Sequence, residues 1–371
     1  MEIIGLVAEY NPFHNGHIYH INKIKELYPD SLLVLVLNGY FMERGEISLL
    51  SKEDKTKISL DNGVDLVIEL PALFGTQSAD TFASTSIRLL NELKVKKIVF
   101  GSEIDDIKKL EDIADKQLND DSFNDKVKEY LKTGLNYPTA LSKAIGIDFE
   151  YNPNDLLGIS YIKAVKANNY EIEPICIKRT SEYHDLDSTS DIISASNIRN
   201  KFNNNEDIKK YLPKDAYKLL KKCDEDELFN LLKYHIVLNN DISNYLDVSE
   251  GIDYLLKEQI LKSDSLKELI DNVKSKRYTY NKISRMLTHI LLGITKDDAK
   301  EELKYMTILG FNKAGKKYLN SIKKDIILPI KKDFDSVQYK IEYNAAFIYD
   351  IVMNTSSFDF EKQNKPIFME K

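Results

Sequence analysis

The 371-residue sequence predicts an α/β fold: a parallel sheet with helical crossovers, followed by a mainly α-helical C-terminal domain. Two observations carry that expectation. Apolar runs at 3–8, 32–37, 64–70 and 95–100 are separated by stretches of helix length, the pattern of strands buried on both faces, and a fifth run follows at 172–177. Beyond about residue 205 the apolar spacing turns helical: 206–236 reads as two helices around Pro213, and 252–295 as further amphipathic helices. The boundary is expected near 203–205, giving domains 1–205 and 206–371.

The first strand, ending Val7-Ala8, runs into Glu9, Tyr10, Asn11, Pro12, Phe13, His14, Asn15, Gly16 and His17. Ile18, Ile21, Ile24 and Leu27 then recur at helical spacing, so this helix can pack on the sheet while His14 and His17 stay at its mouth. A helix N-terminus offers unpaired N–H groups and a dipole that suit phosphate. Gly16 has no Cβ to keep a phosphate off the backbone, and two imidazoles three residues apart can donate hydrogen bonds as charge builds on phosphoryl oxygens. His14, His17 and His20 are evenly spaced, but steps of three rotate around a helix and no cysteine lies nearby, so no metal site is expected.

The second strand ends in a loop, Asn38 to Gly45, suited to a substrate wall. The fourth ends in Phe100, Gly101, Ser102 and Glu103, where Gly101 lets adenine or ribose approach the backbone and Glu103 is either part of the site or a surface residue. In Ile193–Arg199, Ser194 or Ser196 can cap a helix whose N–H groups and hydroxyls hold the β- and γ-phosphates, with Arg199 neutralising charge.

A net charge of −7 argues against indiscriminate nucleic-acid binding but leaves room for local basic patches. One is KSKRYTYNKISR (274–285), with Lys276, Arg277, Lys282 and Arg285 interleaved by Tyr278 and Tyr280 and no acid. A second runs from Lys313 through Lys316, Lys317, Lys323 and Lys324 to Lys331 and Lys332. No basic leader and no apolar run of membrane length occurs, and Cys176 and Cys223 form no visible ligand or redox motif; a cytoplasmic protein without membrane contact is expected.

The H-x-G-H segment and ISASNIR (193–199) resemble the two signatures of the nucleotidylyltransferase superfamily, which implies a Rossmann-like catalytic domain. Over nearly its whole length the chain resembles the tRNA(Met) cytidine acetate ligase family. AEYNPFHNGH (8–17), DLVIELP (65–71), FGSE (100–103), PNDLLGISY (153–161), IKRTSEYHD (177–185), ISASNIR and KSKRYT (274–279) carry that likeness. It implies ATP-dependent activation of acetate, with release of pyrophosphate, and transfer of acetyl to N4 of the wobble cytidine of elongator tRNA(Met). Mg2+ is expected to accompany ATP.

The resemblance assigns catalysis to His14 and His17. It assigns ATP contacts to the 7–18 segment, His20, Gly101, Asn154, Arg179, Ser194, Ser196 and Arg199. Lys276, Arg277, Lys282 and Arg285 are expected on the tRNA side. The chain departs from the family at Asn38, Tyr40, Met42, Glu43 and Ile47 of the second-strand loop, at Asp155 and at Lys282. Two other readings explain part of the sequence: a small-molecule adenylyltransferase acting on a phosphorylated cofactor precursor, and a non-catalytic RNA-binding protein with structural ATP.

Overall fold

Buried β-rich runs and capped helices alternate as the sequence pattern requires. The computed structural model describes residues 1–135, 137–146, 152–179, 191–330, 332–363 and 365–370. In chain order the elements are β1 (Ile3–Ala8), α1 (Asn15–Leu27), β2 (Leu32–Asn38), α2 (Lys52–Asp61), β3 (Leu66–Leu70), α3 (Ala72–Gly75), α4 (Ala79–Glu92), β4 (Lys97–Ser102), α5 (Ile107–Asn119), α6 (Phe123–Lys132), α7 (Tyr137–Ile145), α8 (Pro153–Ala167), β5 (Glu173–Lys178) and α9 (Ala195–Asn203). They continue with α10 (Lys214–Leu219), α11 (Glu225–Leu238), α12 (Ile252–Gln259), α13 (Leu266–Val273), α14 (Tyr280–Leu292), β6 (Ile308–Asn312), α15 (Lys313–Ile322), α16 (Val337–Met353), α17 (Phe358–Gln363) and β7 (Ile367–Met369).

The strands form one sheet in the order β5-β4-β1-β2-β3-β6-β7. The first five are mutually parallel and stand where the apolar runs place them. Alternate side chains feed two cores. Ile3, Val34, Val36, Ile68, Ile98 and Phe100 join α4, α8 and the C-terminal helices, while Ile4, Leu6, Leu33, Leu35 and Val99 pack on α1 and α2. From β1 the chain moves to β2 and β3 on one side, then returns to β4 on the other. The switch point, where ligands bind in such sheets, therefore lies between the carboxyl ends of β1 and β4.

The C-terminal half is mainly helical, as expected, but it also supplies two strands that helical periodicity does not show. β6 pairs antiparallel with β3, and β7 parallel with β6. Gly310 permits this, because a Cβ there would lie 2.8 Å from Thr56 Cγ2 on α2.

A buried ionic cluster also joins the halves. Lys52, at the start of α2, pairs with Glu69 of β3, Glu361 of α17 and, at 3.1 Å, Glu342 of α16, while Lys332 pairs with Glu361 at 2.9 Å. Burial, then the neighbouring Glu69 carboxylate, pushes Glu342 up to about 8.

Candidate active site

The loop from β1 to α1 is held from several sides. Glu9 accepts from Asn38 Nδ2 at 3.0 Å and from Glu43 N at 2.7 Å, and the buried Lys55 ammonium donates to the carbonyls of Glu9 (3.0 Å), Asn38 (2.6 Å) and Gly39 (2.5 Å). Asn11 accepts from Leu49 N at 2.9 Å. Asn15 donates to the carbonyls of Asp191 (3.0 Å) and Lys210 (2.8 Å). Tyr10, Pro12 and Phe13 are buried, and Tyr10 packs edge-on against Phe13. These side chains shape the loop. Val7 and Ala8 lie in β1 opposite Val36 and Leu37, and Ile18 packs on the α1-side core.

His14 is the N-cap of α1. Its Nδ1 accepts from Gly16 N at 3.0 Å, and His17 Nδ1 reaches back to accept from His14 N at 3.1 Å, a reciprocal capping box built from two histidines. Because each Nδ1 accepts, each neutral ring carries its proton on Nε2 and presents one donor. The rings lie 3.9 Å apart, centroid to centroid. Gly16 is required for this stacking over the helix start, since a Cβ would fall 2.7 Å from His14 Cε1.

Burial, then the Arg179 and Arg199 guanidiniums, pushes His14 down to about 3. Burial, then His14 and Arg179, holds His17 well below the usual range; burial and Arg179 bring His20 down to about 4. The pair is thus neutral at physiological pH, so what it can offer a ligand is hydrogen bonds rather than charge. His20 Nε2 is buried with no hydrogen-bond partner among the described residues.

The second helix end faces the first. Ser194 caps α9, accepting from Asn197 N at 3.3 Å, and its Oγ lies 3.0 Å from Ser196 Oγ. Ile192, just before it, stands 3.4 Å from where a Gly16 Cβ would be, so the N-termini of α1 and α9 converge. Arg199 ties them together, donating to Asn11 O at 2.7 Å and pairing with Glu46 at 2.6 Å.

Across the switch point, the end of β4 is braced by the buried Asp155, which accepts from Ser102 Oγ (2.6 Å), Glu103 N (3.0 Å) and Ile104 N (3.4 Å). Asn154 donates to Glu103 Oε1, and Arg179 Nε lies 3.6 Å from the same oxygen. Arg179 also runs over Gly101, its Cγ 3.2 Å from the place of a Cβ. Gly101, Asn154 and Arg179 are therefore gathered around Glu103, a role the sequence leaves open. Lys55 carries no mark of its burial in the sequence, because a lysine in a polar helix gives no such signal. Residues 180–185 of the IKRTSEYHD motif lie outside the described residues.

The basic residues separate into two groups. Lys276 and Arg277 are exposed, Arg277 pairing with Glu250. Lys282 sits over the Tyr278 ring at 4.3 Å. Arg285 is instead a largely buried tie, 3.1 Å from Glu43 and 3.2 Å from Asp247, which fastens α14 to the second-strand loop. In the second stretch, Lys313, Lys316, Lys317, Lys323 and Lys324 are exposed, whereas Lys332 is buried in the ionic cluster and Lys331 lies outside the described residues. Among the described residues, no helix is long and apolar enough to cross a membrane.

The family model for HIGH Nucleotidyl Transferase matches residues 1–365. The tRNA(Met) cytidine acetate ligase of Fusobacterium nucleatum is 38% identical over 340 residues, covering 87% of this chain and 85% of the relative. That of Bacillus subtilis is 35% identical over 386 residues, covering 95% and 92%. A crystal structure of Thermotoga maritima TmcAL bound with alpha-thio ATP matches with a TM-score of 0.87 at 26% identity, over 100% of both chains. With two signatures converging at the switch point and relatives alike from end to end, the chain belongs to the HIGH nucleotidyl transferases, in the family of the tRNA(Met) cytidine acetate ligases.

Proposed function

We propose that this protein is an ATP-dependent ligase that activates acetate as acetyl-adenylate and transfers the acetyl group to N4 of the wobble cytidine of elongator tRNA(Met). The observation that carries the reading is the convergence of the α1 and α9 N-termini, with two neutral imidazoles between them and Arg179 alongside. Acetate is already a nucleophile and needs no base. Its carboxylate oxygen attacks the α-phosphorus, the bond to the bridging oxygen breaks, and pyrophosphate leaves. His14 and His17 donate from Nε2 to phosphoryl oxygens as charge builds there, while Arg179 and the helix N-termini offset the negative triphosphate. N4 of cytidine then attacks the acetyl carbonyl, the bond to the phosphate oxygen breaks, AMP departs and the proton lost by N4 passes to solvent.

The acids Glu69, Glu342 and Glu361 form a candidate ligand triad, but the Lys52 ammonium already fills the place of a cation among them. This set does not fit Mg2+; the ion is expected to arrive on the phosphates of ATP. In this reading residues 1–205 supply the nucleotide site and 206–371 most of the tRNA face, in a cytoplasmic enzyme. A small-molecule adenylyltransferase or an RNA-binding protein with structural ATP would account for fewer of these features, since both leave the likeness of the whole chain to tRNA ligases unused.

Incubation with ATP, labelled acetate and bulk tRNA tests the proposal: label should enter tRNA only when ATP is present, with matching pyrophosphate. Pyrophosphate release that depends on a phosphorylated cofactor precursor, with no labelled RNA, would overturn it. For the RNA face, Lys276→Ala with Arg277→Ala should weaken tRNA binding and lower the slope of log affinity against log salt by roughly one per lost phosphate contact. Arg285→Ala should instead lower thermal stability with little change in that slope, because its partners are Glu43 and Asp247.

A further inference from the structure

We infer that Glu103 accepts a hydrogen bond from a sugar hydroxyl of the nucleotide and so sets a preference for ribose over deoxyribose, an assignment that rests on the ATP reading above. Two atoms at the end of β4 lack partners. Glu103 Oε2 and Arg179 Nε are both buried with no hydrogen-bond partner among the described residues, and Nε stands 3.6 Å from the other Glu103 oxygen, too far to count as a bond. A buried acceptor and a buried donor left side by side are costly unless something pairs with them.

The group that serves both must donate to a carboxylate and accept from an N–H, and a hydroxyl does so. An ionised phosphate only accepts, and the Glu103 carboxylate repels it. An amino group on a base donates but does not accept. The position agrees with the chemistry. Glu103 follows Gly101 at one side of the switch point, whereas the phosphate-attracting N-termini of α1 and α9 lie at the other. Asp155 fixes the backbone of 103 and 104, and Asn154 holds Oε1, so the direction of Oε2 is set before any ligand arrives. A nucleotide with its phosphates at the histidines then places its sugar over Gly101.

The test is equilibrium binding of ATP, 2′-deoxy-ATP and 3′-deoxy-ATP to the full chain and to Glu103→Gln and Glu103→Ala, each first checked by thermal melting. The unaltered protein should prefer ATP over at least one deoxy analogue by roughly ten- to hundredfold, the scale of one hydrogen bond to a charged group. In the variants ATP should weaken to the level of that analogue, whose own affinity should hardly change. Equal weakening of all three ligands, the mark of a structural role, would overturn the assignment, as would the same preference in variant and parent. Binding is read without acetate or tRNA, so a protein that keeps the sugar preference but fails to acetylate RNA would count against the ligase reading alone.

Discussion

Replacing His14 by asparagine is expected to lower the rate of acetyl-adenylate formation by roughly a hundred- to thousandfold, the effect of removing one donor aimed at developing charge. Asparagine is a good N-cap, so the variant keeps a side-chain acceptor for the start of α1 while losing the Nε2 donor. Its stability should stay close to that of the parent. His14→Ala removes both functions and should cost about 1 kcal/mol more in urea unfolding, at a similar loss of rate. Single-turnover pyrophosphate release measures the first quantity and denaturation the second. Full activity in His14→Asn would show that the imidazole serves only as a cap.

The second large effect concerns the buried ionic cluster. Lys52→Met leaves Glu69, Glu342 and Glu361 without their shared cation and should destabilise the fold by about 3–5 kcal/mol, measured by urea denaturation. The same cluster gives stability a pH dependence of defined sign. Glu342 titrates at about 8 in the folded chain against 4.5 for an unperturbed glutamate, so between those values the folded state holds a proton that the unfolded chain has released. Its stabilisation is complete below 4.5 and is lost as pH rises through 8. Glu361 runs the other way: burial would raise it, but Lys52 and Lys332 hold it below the usual range, so its contribution is lost at the acid end. Glu342→Gln should therefore flatten the decline between pH 5 and 8 and leave the acid limb in place, as seen in denaturation midpoints across pH.

Much of the N-terminal half is legible in the sequence because its signals are local. Five apolar runs, a glycine before a histidine and a capping serine within ISASNIR each act through neighbours within a few residues. Contacts between distant residues leave no such mark. The strand Ile308–Asn312 is too short to declare a period, and its place is decided by the edge that β3 offers it. Arg285 reads as one more base in a basic segment, yet its partners Glu43 and Asp247 lie far from it along the chain. The buried state of Lys52, Lys55 and Lys332 is equally silent, because nothing adjacent to them announces the acids or carbonyls that pair with them. Glu103 is the instructive middle case: its motif is visible, but its bond from Asn154 and its place beside Arg179 appear only in three dimensions.

The pairing of β6 with β3 bears on how the chain can be divided. A fragment ending near residue 205 would carry the whole nucleotide signature, yet it would bare the backbone edge of Leu66–Leu70 and strip Glu342 and Glu361 from Lys52. Such a fragment is set up to stick to copies of itself, and the helical half acts as an intramolecular cover without which the N-terminal half has no finished rim.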